Sequence, residues 1–286
     1  MKLGIIDVGG GMRGVYSAGI LDYCLCNNIT FNYHIGVSAG AANFASFLAG
    51  QKERNYKFYH DYSFRKEYMG MERLAKTGSF LDLQYIYGTL SNTGGEDPLD
   101  FKKMMDNTSE FKVVATNALT GKPEYFNKNN FKQDSYRELM ASSCIPGLNK
   151  PIYINGIPYF DGGLSDPVPL EKAILDGCTS YILILSRPIK EEKESKKDIE
   201  LARIIRKKYP KSADALYRRS WAYNKAVKTA VIHQKEGISL ILAPENINGI
   251  NTLKRNKKAI EALYSEGVKD GEKITAWLNE MGKFLF

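Results

Sequence analysis

The sequence predicts an α/β fold: a three-layer sandwich with a mainly parallel central sheet, helical insertions and a helical C-terminal part. Three observations carry this expectation. Short runs such as LGIID (3–7) and SYILILS (180–186) are almost wholly apolar and lack alternation, which suits strands buried on both faces of a parallel sheet. Segments of helical spacing lie between those runs, so strand and helix alternate along the chain. A chain of 286 residues, 43% apolar and 25% charged, can bury a sizeable core and has the balance of an ordinary globular protein.

LGIID is the first strand. A glycine loop follows it, and VYSAGILDYCL (15–25) has the spacing of a helix. FNYHIGV (31–37) is a second strand. AGAANFASFLAG (39–50) is rich in small helix formers and stops at Gly50. Residues 51–98 are crowded with Tyr, Phe, Lys and Arg and read as a mostly helical and looped insertion. FKVVATNA (111–118) is a third strand, and GKPEYF (121–126) pairs back on it, Gly121 supplying the turn. SYRELMASSC (135–144) is helical and stops before Pro146. In PIYINGIPYFDGG (151–163), Asn155-Gly156 between two apolar arms signals a hairpin. PLEKAILDG (169–177) is a helix and SYILILS another buried strand.

From Arg187 the charged stretch RPIKEEKESKKD leads into two helices, about 199–209 and 212–234. A last strand, ISLILAP (238–244), and two helices near 252–267 and 270–283 close the chain. No break is rich enough in Pro, Gly or Ser to separate domains. Residues 1–187 are therefore expected to form the core, with the aromatic insertion at about 51–98, and residues 188–286 an extension packed on the same domain.

The formal net charge of +8 favours anionic partners. No basic run is interleaved with base-stacking aromatics, so nucleic acid is not an expected partner. The clusters RIIRKKYPK (203–211) and LKRNKK (253–258) read as solvated faces, with attraction to anionic lipid as the sharper alternative. Cys24, Cys26, Cys144 and Cys178 form no CxxC pair and no Cys/His zinc spacing, which points to reduced thiols and to no metal. Cys24 and Cys26 lie on different faces of a helix. MKLGIID is a strand rather than a signal peptide, and no run reaches the roughly 18 apolar residues of a membrane span. The expected location is cytoplasmic, with peripheral membrane contact at most.

Two glycine-framed motifs carry chemistry. GGGMRG (9–14) matches G-x-G-x-x-G through Gly9, Gly11 and Gly14. A dinucleotide fold also wants an acidic residue at the end of the second strand, and FNYHIGV has none. A P-loop fails too, since Val15 stands where lysine belongs. What remains is a set of bare N–H groups at a helix start, able to meet a phosphate or an oxyanion. Arg13 opposes the helix dipole there. Either an anion lies nearby, or the side chain pairs with Asp7 or Asp22.

GVSAG (36–40) places Ser38 between strand and helix, with Gly36 and Gly40 relieving a sharp turn and the Ala39 N–H facing the hydroxyl. Alone, it fits a nucleophile or a small-residue turn. A serine needs a base. His34 reads as an interior histidine and His233 as a partner of a helix C-terminus, which leaves the histidines poor candidates. Asp161 in YFDGG (159–163) can replace histidine if folding brings it within reach, and Gly162 and Gly163 allow a sharp turn and close approach. An ordinary Asp-Gly turn is the alternative.

DVGGGMRG, GVSAG and YFDGG, in that order, resemble the patatin-like phospholipases, and ASSCIPG (141–147) is similar to the family's helix-to-proline segment. KTGSFLDLQYIYGTL and PLDFKKMM resemble its bacterial subgroup. The resemblance covers roughly residues 3–186. It implies Ser38 as nucleophile and Asp161 as its partner, with Gly9, Gly10 and Gly11 as oxyanion hole and Ala39 N–H as a further donor. Arg13, Gly14, Gly36, Gly40, Gly162 and Gly163 are the remaining motif positions around the substrate. It further implies a lipid acyl hydrolase of phospholipase A type, acting on a lipid ester through an acyl-serine, with no cofactor. An acyltransferase or thioesterase with the same dyad, or a catalytically idle lipid- or protein-binding member, are the alternatives. Val8, between Asp7 and the glycines, departs slightly from the family pattern. The rings of residues 56–87 serve either as a cap over an acyl groove or as the core of a helical subdomain of their own.

Overall fold

Eight strands form one mixed sheet in the computed structural model, which describes residues 1–247 and 249–283. They are β1 (Leu3–Asp7), β2 (Tyr33–Val37), β3 (Glu110–Asn117), β4 (Pro123–Asn127), β5 (Ile152–Ile154), β6 (Ile157–Asp161), β7 (Ser180–Ile184) and β8 (Ser239–Leu242). β8, β7, β1, β2 and β3 lie side by side and all run parallel. β1, β2 and β7 are buried at every position, which is why their sequences do not alternate.

The pairing of β3 positions everything that follows. β4 runs antiparallel along Lys112–Thr116 and takes its outer edge. On the inner edge β2 pairs with Glu110–Val114, and β6 takes over at Ala115–Asn117, running antiparallel. β6 therefore meets β2 end to end. β5 pairs with β6 through a turn in which Asn155 and Gly156 both have positive φ, as the Asn-Gly signal requires.

The helices are α1 (Val15–Cys26), α2 (Ala39–Leu48), α3 (Arg54–His60), α4 (Met71–Thr77), α5 (Phe101–Asp106), α6 (Arg137–Ser142), α7 (Leu170–Leu175), α8 (Lys196–Ile205), α9 (Pro210–Lys235) and α10 (Lys257–Lys283). Successive β1 residues face opposite cores. Ile5 packs in a cluster with Tyr16 of α1, Phe44 of α2 and Ile260 of α10, and Ile6 in another with Leu170 of α7 and Val227 of α9. Each fully buried side chain of this size contributes about 1.5–3 kcal/mol, so helices on both faces are what stabilise the sheet.

Two expectations need correction. The chain closes with one helix, α10, where two were expected near 252–267 and 270–283. Gly267 and Gly271 do not break it; they let α1 approach, since a Cβ on Gly267 would stand 2.0 Å from the Tyr16 carbonyl oxygen. The aromatic insertion does not build a core of its own either. Tyr59, Tyr62, Tyr68 and Tyr87 are buried in the same cluster as Phe44 and Val15, because the insertion packs directly on the helical layer.

Candidate active site

Ser38 follows β2 directly and is the N-cap of α2, with φ 56° and ψ −126°. That backbone costs a non-glycine residue on the order of 1–3 kcal/mol, so the surroundings must enforce it. The turn tolerates no side chain at its flanks. A Cβ on Gly36 would stand 2.5 Å from Ala41 N, and one on Gly40 2.5 Å from Asp7 Cγ. Support also comes from outside the motif. Fully buried Ser142, in α6, accepts the Ser38 N–H at 2.8 Å and donates to the Val114 carbonyl at 2.6 Å. No local pattern singles out Ser142; its one sequence signal is membership of ASSCIPG.

Strand register brings Asp161 to the same place. Val37, the last residue of β2, pairs with Val114, and Asp161, the last of β6, pairs with Ala115, the next residue along the same edge. The Asp161 backbone is pinned by its N–H to the Cys144 carbonyl at 2.8 Å and by the Thr116 hydroxyl donating to its carbonyl at 2.8 Å. Its carboxylate is buried and accepts the Gly163 N–H at 2.7 Å. Burial raises the carboxyl above the usual carboxylate range, while the charge of Arg219, the Ser38 side chain and the Gly163 N–H oppose the rise. Gly162 is forced small by the Val114 carbonyl, 2.2 Å from where its Cβ would be. At Gly163 an added Cβ would lie 3.3 Å from Arg219 Nη2.

Gly9, Gly10 and Gly11 have φ of 63°, 131° and 59°, a run that other residues rarely adopt. Their amides are not equivalent. The Gly9 N–H donates to Asp7 Oδ1 at 2.8 Å, and Gly9 lines neither cavity at Ser38. This separates Gly9 from the expected oxyanion donors: its amide is committed to holding the loop. Gly10 and Gly11 line the space beside Ser38, Ala39 lines it from the head of α2, and none of the three N–H groups meets a described acceptor. Asp7 is buried, and that burial lifts its carboxyl to about 6. Gly14 backs onto the Tyr59 ring hydroxyl.

Two cavities meet at Ser38. One, of about 80 Å³, is mainly apolar and is walled by Phe58, Tyr59, Met69, Leu81 and Ile86, all from the insertion. The other, of about 1070 Å³, is the more polar of the two and reaches Asp161, Arg13, Arg187, Glu191, Lys193, Asp198, Arg219 and Tyr223, charges of both signs. Of the expected site residues, Ser38, Asp161, Gly10, Gly11, Arg13, Ala39 and Gly163 line these two spaces, whereas Gly36, Gly40 and Gly162 shape the backbone behind them. Arg13 pairs with neither Asp7 nor Asp22. Asp7 receives the Gly9 amide, and Asp22 receives the Glu53 N–H and the Tyr264 hydroxyl.

The histidines lie elsewhere. His34 is fully buried among Phe31, Phe44 and Phe47, which holds the ring neutral, down at about 3. His233 meets the Tyr181 hydroxyl at 2.8 Å, and His60 sits between Asp61 and Glu261. Cys24 is buried and Cys26 exposed, on different faces of α1, and all four thiols are free. Among the described residues no group of three or more His, Cys, Asp or Glu could hold a metal ion. Nor is any described helix long and apolar enough to cross a membrane.

Comparison with known proteins adds an independent line. A family model described as patatin-like phospholipase matches residues 8–174, and one described as a domain of unknown function (DUF6363) matches residues 209–286. The uncharacterized protein YjjU of Escherichia coli K12 is 29% identical over 192 residues, 65% of this chain and 52% of that protein. Lysophospholipase NTE1 of Yarrowia lipolytica is 24% identical over 62% of this chain and 12% of its own length, and that of Candida albicans 24% identical over 64% and 13%. The chain thus spans about half of the bacterial relative and a small part of the fungal ones. Among solved structures, VipD from Legionella pneumophila superposes over 95% of this chain and 66% of that one, with a TM-score of 0.46 and 12% identity.

Proposed function

The chain belongs to the patatin-like phospholipase family, and from that premise we propose that it hydrolyses lipid acyl esters through Ser38 and Asp161. The Asp161 carboxylate takes the proton of the Ser38 hydroxyl as Oγ attacks the ester carbonyl. The N–H groups of Gly10, Gly11 and Ala39 receive the oxyanion. Collapse of the tetrahedral intermediate passes the proton from Asp161 to the leaving alcohol and leaves an acyl-serine. Water then gives its proton to Asp161, adds to the acyl carbon, and releases the fatty acid as Ser38 recovers its hydrogen.

The observation that carries this reading is the register on β3, which sets the end of β2 and the end of β6 next to each other. The apolar cavity supports the carbons next to the ester as the buried part of the substrate, since about 80 Å³ takes only a few methylenes. The name lysophospholipase borne by the fungal relatives agrees with a lipid ester. On this reading residues 1–187 are the catalytic core, and the extension 188–286 works with it as one unit, because α9 carries Arg219 to Gly163.

A fluorophosphonate probe and a fatty-acyl ester assay test the proposal. Wild type should label and hydrolyse, and Ser38→Ala should do neither. Asp161→Asn should stay folded and lose about 10²–10⁴-fold in kcat. Wild-type rates in Ser38→Ala would refute it.

A further inference from the structure

The apolar cavity at Ser38 carries hydroxyl hydrogens that the protein itself does not use. Most polar side chains of its wall have protein partners. Asn43 donates to the Gly14 carbonyl and to Ser17 Oγ, and accepts the Tyr59 hydroxyl. Asn55 donates to the Asn43 carbonyl, and Ser91 to that of Ile86. Arg54, the one charged side chain of the wall among the described residues, is held by Asp97 at 3.2 Å and by the hydroxyls of Ser46 and Ser91. The Tyr136 hydroxyl turns to the Asp134 backbone.

Tyr68 and the pair Tyr87–Ser143 differ. Tyr68 is 8% exposed, lines the cavity, and its hydroxyl meets no described hydrogen-bond partner. The Tyr87 and Ser143 hydroxyls lie 2.9 Å apart and, among the described residues, meet only each other. Two hydrogens serve one bond there, so one is left over. Ser143 follows Ser142, the acceptor of the Ser38 N–H, which puts the pair at the nucleophile's end of the cavity. Burial, and then Tyr87, raise the Tyr68 hydroxyl above its usual range, and burial pushes Tyr87 up to about 12, so both stay protonated donors. Two unused donors in a space of about 80 Å³, with its single charge already paired, call for a neutral oxygen acceptor on a short piece of substrate.

We propose that Tyr68 and the Tyr87–Ser143 pair form a subsite for a neutral oxygen on the acyl group, within a few carbons of the scissile carbonyl, so that the preferred acyl group is a short hydroxyacyl such as 3-hydroxybutyryl. The inference rests on the hydrolase reading for turnover, though not for the binding of the acyl group itself. The substrate hydroxyl accepts from Tyr68 and extends the Tyr87–Ser143 pair, either donating to it or accepting from it. An unsubstituted acyl chain fills the same space but leaves these groups unpaired, and a site built to bond a hydroxyl rejects the analogue that lacks it. Tyr68 and Tyr87 both come from the insertion, so the insertion selects the acyl group while the glycine loop and elbow perform the chemistry.

Two measurements on the full chain decide it. In calorimetry on Ser38→Ala, which holds esters without cleaving them, methyl 3-hydroxybutyrate should bind about tenfold or more tightly than methyl butyrate, and adding Tyr68→Phe should remove the difference. In kinetics, the ratio of kcat/KM for p-nitrophenyl 3-hydroxybutyrate over p-nitrophenyl butyrate should be about ten or more in wild type and fall about tenfold in Tyr68→Phe and in Tyr87→Phe. Fluorophosphonate labelling of Ser38 shows that each variant is folded with a working elbow. A wild-type ratio near one, or a ratio that both Phe variants leave unchanged within about twofold, would overturn the subsite. So would p-nitrophenyl palmitate cleaved faster than either short ester, or equal binding of the two methyl esters. A wild type that neither labels nor cleaves any ester would instead sink the hydrolase reading, with calorimetry still deciding the subsite.

Discussion

Replacing Arg219 by Met tests whether Asp161 is the base. Asp161 can take a proton from Ser38 only when ionised, so activity must rise with pH through its pKa. Burial raises that pKa, and the Arg219 charge is the largest influence holding it down. An opposite charge at close range lowers a carboxyl by about 1–3 units, so its removal should move the acid limb of kcat/KM upward by about one unit or more. One unit corresponds to about 1.4 kcal/mol, or a tenfold lower rate at pH values below the limb. The gap should narrow as pH rises above both limbs, because Asp161 is then ionised in either protein. The substrate for this test is a short neutral ester, which carries no titrating group of its own. The assay is a kcat/KM profile from about pH 4 to 9, with the melting temperature followed in parallel because Arg219 also pairs with Asp198 at 3.2 Å. An acid limb that stays in place, or moves to lower pH, would refute Asp161 as the proton acceptor under the influence of Arg219.

Two further perturbations probe the frame around Ser38. Ser142→Ala removes the acceptor of the Ser38 N–H and the donor to the Val114 carbonyl. It should lower stability by about 1–3 kcal/mol in urea melts and depress fluorophosphonate labelling of Ser38, a disproportion that a remote core serine would not produce. Asp7 has its folded pKa raised to about 6 from 3.8, so it favours the folded state below pH 3.8 and loses that contribution as pH rises through 6. Between pH 5 and 8 wild type should lose about 1.4 kcal/mol relative to Asp7→Asn, and parallel urea melts that show no difference in slope would refute the raised pKa.

Much of this architecture is legible in the residues because its determinants are local. The fully buried strands betray themselves by apolar runs, the hairpin by Asn155-Gly156, and the elbow by glycines that a Cβ would bring within 2.5 Å of neighbouring atoms. What escapes is set by distant partners. Gly267 reads as a helix break until α1 is seen to lie against it. Gly9 reads as an oxyanion donor until Asp7 is seen to take its amide. Residues 187–198 read as a solvated charged lead-in, yet Asp198 is 4% exposed and ties Lys193 and Arg219 together in the cavity that Ser38 and Asp161 line. No spacing rule joins Arg219 to Gly163, more than fifty residues earlier; only the packing of α9 across the end of β6 does.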